Sequence, residues 1–80
     1  METAAMPGAE RRLAHLTWPE VQAQAARSGS TVLWPFGAFE QHGPQLPLIT
    51  DALFAERVAA AVAERIDPTL PLWLLPVQWL

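Results

Sequence analysis

Glu40, His42 and Asp51 are the residues whose types and spacing could do chemistry together. One residue separates Glu40 from His42, so on an extended segment both side chains leave the same face. Asp51 follows His42 by nine positions, and Gly43, Pro44 and Pro47 can turn the intervening chain back on itself. Two carboxylates and an imidazole are hard and borderline donors. They suit zinc, manganese or a similar divalent ion, and they do not suit copper(I) or an iron–sulfur cluster. A carboxylate can also bridge two ions, and ions roughly 3.5–4 Å apart make hydroxide at neutral pH and stabilise an oxyanion. Taken alone the pattern is unspecific. Glu-x-His pairs arise by chance, and a loop histidine is more often a hydrogen-bonding surface residue.

Such a trio needs elements to hold it. Thr31 to Trp34 is a β-branched and apolar run between Gly29 and Pro35, which predicts a buried strand. Phe36 to Ile49 then contains two glycines and two prolines and cannot be regular throughout. From Asp51 to Ile66 the apolar residues Phe54, Val58, Val62 and Ile66 recur every four positions, predicting an amphipathic helix with Glu56, Arg57, Glu64 and Arg65 toward water. Thr50 or Asp51 is expected to cap that helix, and Asp67-Pro68 to end it. Leu72 to Val77 is a second run of strand length. Upstream, Thr17-Trp18-Pro19-Glu20 has the form of a capping box opening a helix to about Arg27, with Ser28-Gly29 as its stop.

Strand, loop, helix and strand make a βαβ unit with parallel strands. The candidate trio therefore sits past the carboxyl end of a strand and at a helix N-terminus, where open α/β sheets bind ligands. Two parallel strands cannot cover both of their faces, so the reading expects more strands and a polypeptide that continues beyond Leu80. Met1 to Arg12 is small, polar and aperiodic and is expected to be a flexible tail, leaving 13–80 as the N-terminal part of one domain.

The 80 residues are 51% hydrophobic and 16% charged, the balance of a buried α/β core rather than of a solvated chain. A net charge of −3 with five Lys+Arg leaves no basic stripe for nucleic acid or an anionic membrane surface. Cysteine is absent, which excludes disulfides and thiolate metal sites. No apolar run reaches the length of a signal peptide or a membrane span, so the expected location is the cytoplasm. His15 has no acidic neighbour at ligand spacing and reads as a surface histidine. Trp18, Trp34, Trp73 and Trp79 read as core and subunit packing, although the Trp79 segment approaches the same end of the sheet as Glu40.

The motif Glu40-Gln41-His42-Gly43-Pro44, followed by Leu46-Pro47-Leu48 and Thr50-Asp51, resembles the creatininase (creatinine amidohydrolase) family. The resemblance runs from Leu16-Thr17-Trp18-Pro19-Glu20 through Gly37 to Asp51, and on to the apolar segment Leu72 to Pro76. It implies a three-layer α/β/α fold with a mainly parallel sheet, of which this chain holds the first βαβ portion. It also implies that Glu40, His42 and Asp51 are ligands of a two-metal centre (zinc, manganese or iron), with Asp51 bridging. The family's further ligands, a histidine and a glutamate, lie downstream of Leu80. Three positions depart from the family pattern: Gln45 where a second histidine is usual, Ile49 where glycine is common, and Phe39 in place of a smaller or β-branched residue. They bear on the substrate and not on the matched ligands.

The expected activity is hydrolysis of a non-peptide C–N amide bond by a metal-bound hydroxide, the substrate being a small cyclic amide or formamide. The resemblance further implies a homo-oligomer, commonly a hexamer. The rival expectation is a non-catalytic product of a truncated reading frame, or a small assembly module packing through exposed sheet edges.

Overall fold

The computed structural model describes residues 11–80. Residues 1–10 of the expected tail lie outside the described residues, whereas Arg11 and Arg12 belong to the folded body. A 3-10 turn, Leu13–His15, leads to α1, Trp18–Ala25. Thr17 and Glu20 close the expected capping box, the Glu20 carboxylate accepting the Thr17 N–H at 2.8 Å. The strands are β1, Thr31–Leu33, and β2, Phe36–Gly37; after them come α2, Thr50–Arg65, then β3, Leu72–Leu74, and β4, Gln78–Trp79.

β1 pairs in parallel with β3 in the register Val32↔Trp73, and β2 pairs in parallel with β4 in the register Gly37↔Trp79. The second pair was not expected. Pro35 and Pro76 have no N–H to give, so the ladder breaks there, yet the ribbon continues across the gap. Leu75 N–H donates to Leu33 O at 2.9 Å, Gln78 N–H to Pro35 O at 2.9 Å, and Leu80 N–H to Gly37 O at 3.0 Å. On the far side of β3, Arg12 bridges Leu74, and Leu74 N–H donates to Arg11 O. Helices and parallel strands thus form part of an α/β fold.

The core runs along an alanine face of α2. Ala52, Ala59, Ala63 and Leu74 are buried, while of the expected core stripe Phe54, Val58 and Val62 are 71%, 47% and 44% exposed and only Ile66 is half-buried. The helical repeat explains the difference. At about 100° per residue, Ala52, Ala59 and Ala63 fall within roughly 40° of each other, whereas Phe54, Val58 and Val62 lie roughly 160°, 120° and 80° from the centre of that face. A helix apolar on both sides does not reveal in its sequence which side meets the sheet. The small side won because alanine lets the helix approach the strands closely. β1, expected to be buried, also has Thr31 and Val32 exposed. Of the tryptophans read as packing residues, Trp18, Trp34 and Trp79 are exposed and Trp73 is half-buried.

Arg11 ties the lower end of the ribbon. It is 8% exposed, and its guanidinium donates to Leu70 O and Leu72 O at 3.0 Å each and to Asp67 O at 2.8 Å. The Asp67 carboxyl lies below its usual pKa because the Thr69 backbone N–H and hydroxyl bond it, with Arg11 adding a smaller attraction. Arg12 pairs with Glu56 at 3.0 Å, so Glu56, read as solvated, is half-buried instead. Arg11→Met keeps the aliphatic stem but leaves three carbonyls without this donor. A loss of about 1–3 kcal/mol in stability is expected for a full-length protein carrying this segment, read from denaturant unfolding. An unchanged midpoint with unchanged slope would show the bonds to be dispensable.

Candidate metal centre

Each member of the trio reaches the site by a different local device. Beyond β2, Phe39 N–H donates to Leu80 O at 3.1 Å, which extends the β2–β4 ribbon to the doorstep of Glu40. Glu40 N–H then donates to Leu48 O at 3.2 Å, and His42 bridges Leu46 in antiparallel fashion. The irregular segment is therefore a narrow fold-back rather than an open loop. Its tip uses Gly43 at φ +76°, a region that other residues avoid, and Gly43 N–H donates to the Gln41 side chain at 2.8 Å. This fold-back brings the chain to α2 with Asp51 beside His42.

Asp51 is not the helix cap. Ile49 occupies that position without a side-chain bond, and Thr50 spends its hydroxyl on Pro47 O at 2.7 Å. Asp51 sits in the first turn, where the positive end of the helix favours a carboxylate. Because the backbone turn toward Pro47 starts the helix, the Asp51 oxygens stay free for other partners.

The three side chains converge. One donor atom each from Glu40, His42 and Asp51 lies within 4.8 Å of the others. Nε2 of His42 is buried and has no hydrogen-bond partner among the described residues. Its nearest acidic atom, Asp51 Oδ2, stands at 3.5 Å, long for a hydrogen bond. Two donors on one tetrahedral ion at about 2.0–2.2 Å stand about 3.3–3.6 Å apart, so this pair has the spacing of ligands. An unpaired buried nitrogen costs about 1–3 kcal/mol, a cost that ligation removes. Glu40 is exposed, and His42 and Asp51 are half-buried. The donor set and the orphaned nitrogen both fit a divalent cation.

The Phe39 and Trp79 rings stack with centroids 5.2 Å apart and planes at 8°, next to Glu40 in the chain. Sequence reasoning placed Trp79 near this end of the sheet but did not pair it with Phe39. The β2–β4 register carries that information, and two-residue strands leave too short a pattern to read. His15 is exposed in its 3-10 turn and takes no part in the cluster.

Comparison with known proteins gives the chain a family. The family model described as creatinine amidohydrolase matches residues 14–80. A mycofactocin precursor peptide peptidase of Mycobacterium ulcerans (strain Agy99) is 43% identical over 63 residues, covering 74% of this chain and 21% of the relative. A creatinine amidohydrolase of Pseudomonas putida is 41% identical over 51 residues, covering 64% of this chain and 20% of the relative. Among solved structures, a Trp→Ala mutant creatininase superposes with a TM-score of 0.73 at 32% identity, covering 86% of this chain and 25% of that one. The chain thus spans about a fifth to a quarter of the length of these proteins. A family match over residues 14–80, which include the Glu-x-His pair, the fold-back and the first turn of α2, shows that the chain belongs to the creatininase family.

Proposed function

We propose that this chain is the N-terminal part of a metal-dependent amidohydrolase that cleaves a C–N amide bond outside a peptide, in a creatinine-like cyclic amide or a formamide. The buried, unpartnered Nε2 of His42 is the observation that carries this reading. Glu40, His42 and Asp51 would hold the ions, with Asp51 shared between two of them, and the ions would be zinc, manganese or iron. Bound there, divalent ions supply Lewis acidity toward an amide oxygen and lower the pKa of water.

The chain's own residues set the terms. His42 presents Nε2 from a buried position, where water competes poorly for it. Asp51 brings negative charge to the first turn of α2, which offsets repulsion between two cations at close range. Glu40 is the solvent-exposed member of the trio. The further histidine and glutamate that the resemblance implies downstream of Leu80 would complete the shell.

One relative is named a creatinine amidohydrolase and another a peptidase. Both names describe opening of a C–N bond, which supports hydrolysis of such a bond, while the creatinine amidohydrolase name alone supports a non-peptide substrate. The exposed Trp18, Val32, Trp34, Phe36, Phe54 and Leu80 support burial against further polypeptide, including other copies in a homo-oligomer such as a hexamer. Among the described residues no helix is long and apolar enough to cross a membrane. A cytoplasmic location is part of the proposal.

The test compares two samples. A full-length protein carrying these residues, assayed on creatinine, N-formyl amines and short peptides, should lose turnover on chelation and regain it with zinc or manganese. The isolated 80-residue chain should show neither a cooperative melt nor turnover, since its buried hydrophobic core is three alanines and one leucine. Full turnover at chelated, metal-free stoichiometry would refute the metal-dependent reading. A non-catalytic assembly module is the rival that a cooperative, inactive 80-residue chain would favour.

A further inference from the structure

Gly37 ends β2 where the start of α2 rests on it. A Cβ placed on Gly37 would lie 2.8 Å from the Asp51 carbonyl carbon and closer still to the Ala52 N and Cα. Real Cβ atoms essentially never approach under 3.0 Å. Every one of those neighbours is backbone, so no rotamer change relieves the overlap; the helix start has to move. Ala52 is 0% exposed, so the contact is sealed from the other side as well. Gly37 shows no positive φ. Its need for glycine comes from the neighbouring helix, not from its own backbone.

Glu40 follows Gly37 by three residues along one segment, and Asp51 immediately precedes Ala52 on the other. We propose that Gly37 is a positioning residue for the metal centre: its missing side chain sets how closely the first turn of α2 docks on β2, and so places Asp51 against Glu40 and His42. The inference rests on the ligand reading of that trio. A methyl group at position 37 needs a backbone displacement on the order of 1 Å, and misplacements of that size in a site cost about a hundredfold in function.

The experiment uses a full-length protein and zinc alone as the probe. Gly37→Ala is compared with Gly29→Ala. Gly29 has φ +80° with nothing within 4 Å of a built Cβ, so alanine there strains the backbone at the opposite end of β1 without touching the helix. Both variants should lower the melting temperature of the metal-free protein. Calorimetric zinc affinity should fall at least about tenfold in Gly37→Ala and stay within about twofold of the parent in Gly29→Ala. Ala52→Ser adds one oxygen to a fully buried side chain in the first turn of α2, a milder push on the seating of the helix start that serves if Gly37→Ala does not fold. It should weaken zinc severalfold.

Parent-like zinc affinity in folded Gly37→Ala or in Ala52→Ser overturns the positioning role, as does an equal loss in Gly29→Ala. Asp51→Asn separates the two levels. If that variant binds zinc like the parent, the ligand reading itself fails; if it loses zinc while Gly37→Ala and Ala52→Ser keep it, only the positioning inference fails.

Discussion

Asp51→Asn in a full-length protein should lower hydrolysis by at least about 100-fold and reduce the bound metal, while the metal-free protein unfolds at nearly the parent temperature. The magnitude follows from comparison: losing a group that merely orients a ligand costs about 10–100-fold, and here a ligand itself is changed. Asparagine matches aspartate in size and can still hydrogen-bond. It cannot supply a negative carboxylate with both oxygens available to cations. In the metal-free state the change removes a favourable interaction with the helix N-terminus of about 0.3–1 kcal/mol. It also relieves crowding of negative charge with Glu40, since the donor atoms of the trio lie within 4.8 Å, so the net effect on folding is small. The comparison has to use metal-free samples because bound metal stabilises the folded state by mass action. A variant that retains turnover and metal would leave Asp51 with only its place in the first turn, and the two-metal reading would fall.

That prediction is sharper than the sequence alone allowed. With Thr50 and Asp51 both acceptable as caps, a structural task for Asp51 competed with ligation. The structure removes the competitor by placing Ile49 at the cap and turning the Thr50 hydroxyl to Pro47 O. The return of Asp51 toward Glu40 and His42 was legible, because glycine and proline at 43, 44 and 47 leave the chain few paths. The parallel β1–β3 pair and both helices were legible from period and punctuation. What was hidden follows from size and distance. Alanine carries almost no hydrophobic signal, so the true core face of α2 lost to the larger stripe at Phe54, Val58 and Val62. Arg11 sits in a stretch with no periodicity, and its three carbonyl partners are more than fifty residues away. No local pattern announces such a contact. The Gly37 contact was equally silent, since a glycine that serves a neighbouring element looks like any turn glycine in one sequence.

His42 provides a test whose sign separates ligation from ordinary packing. Its Nε2 is buried without a hydrogen-bond partner among the described residues, and Asp51 Oδ2 at 3.5 Å is too far to serve as one. A buried polar atom left in that condition destabilises the metal-free fold by about 1–3 kcal/mol. Replacing the imidazole by an apolar side chain therefore removes a cost before metal binds and a ligand after it. His42→Leu in a full-length protein should melt no lower than the parent when both are metal-free. With saturating zinc the parent should gain stability, about 2.7 kcal/mol at a hundred times its dissociation constant, and the variant should gain much less. His42→Ala should give the same loss of metal by elemental analysis, with the fold intact because the fold-back lies outside the alanine core of α2. If His42 instead served as a structural hydrogen-bonding residue, His42→Leu would be the less stable protein without metal, and zinc would raise both melting temperatures equally. Those two melting curves, taken with and without zinc, therefore decide whether the nitrogen is waiting for a cation or simply buried.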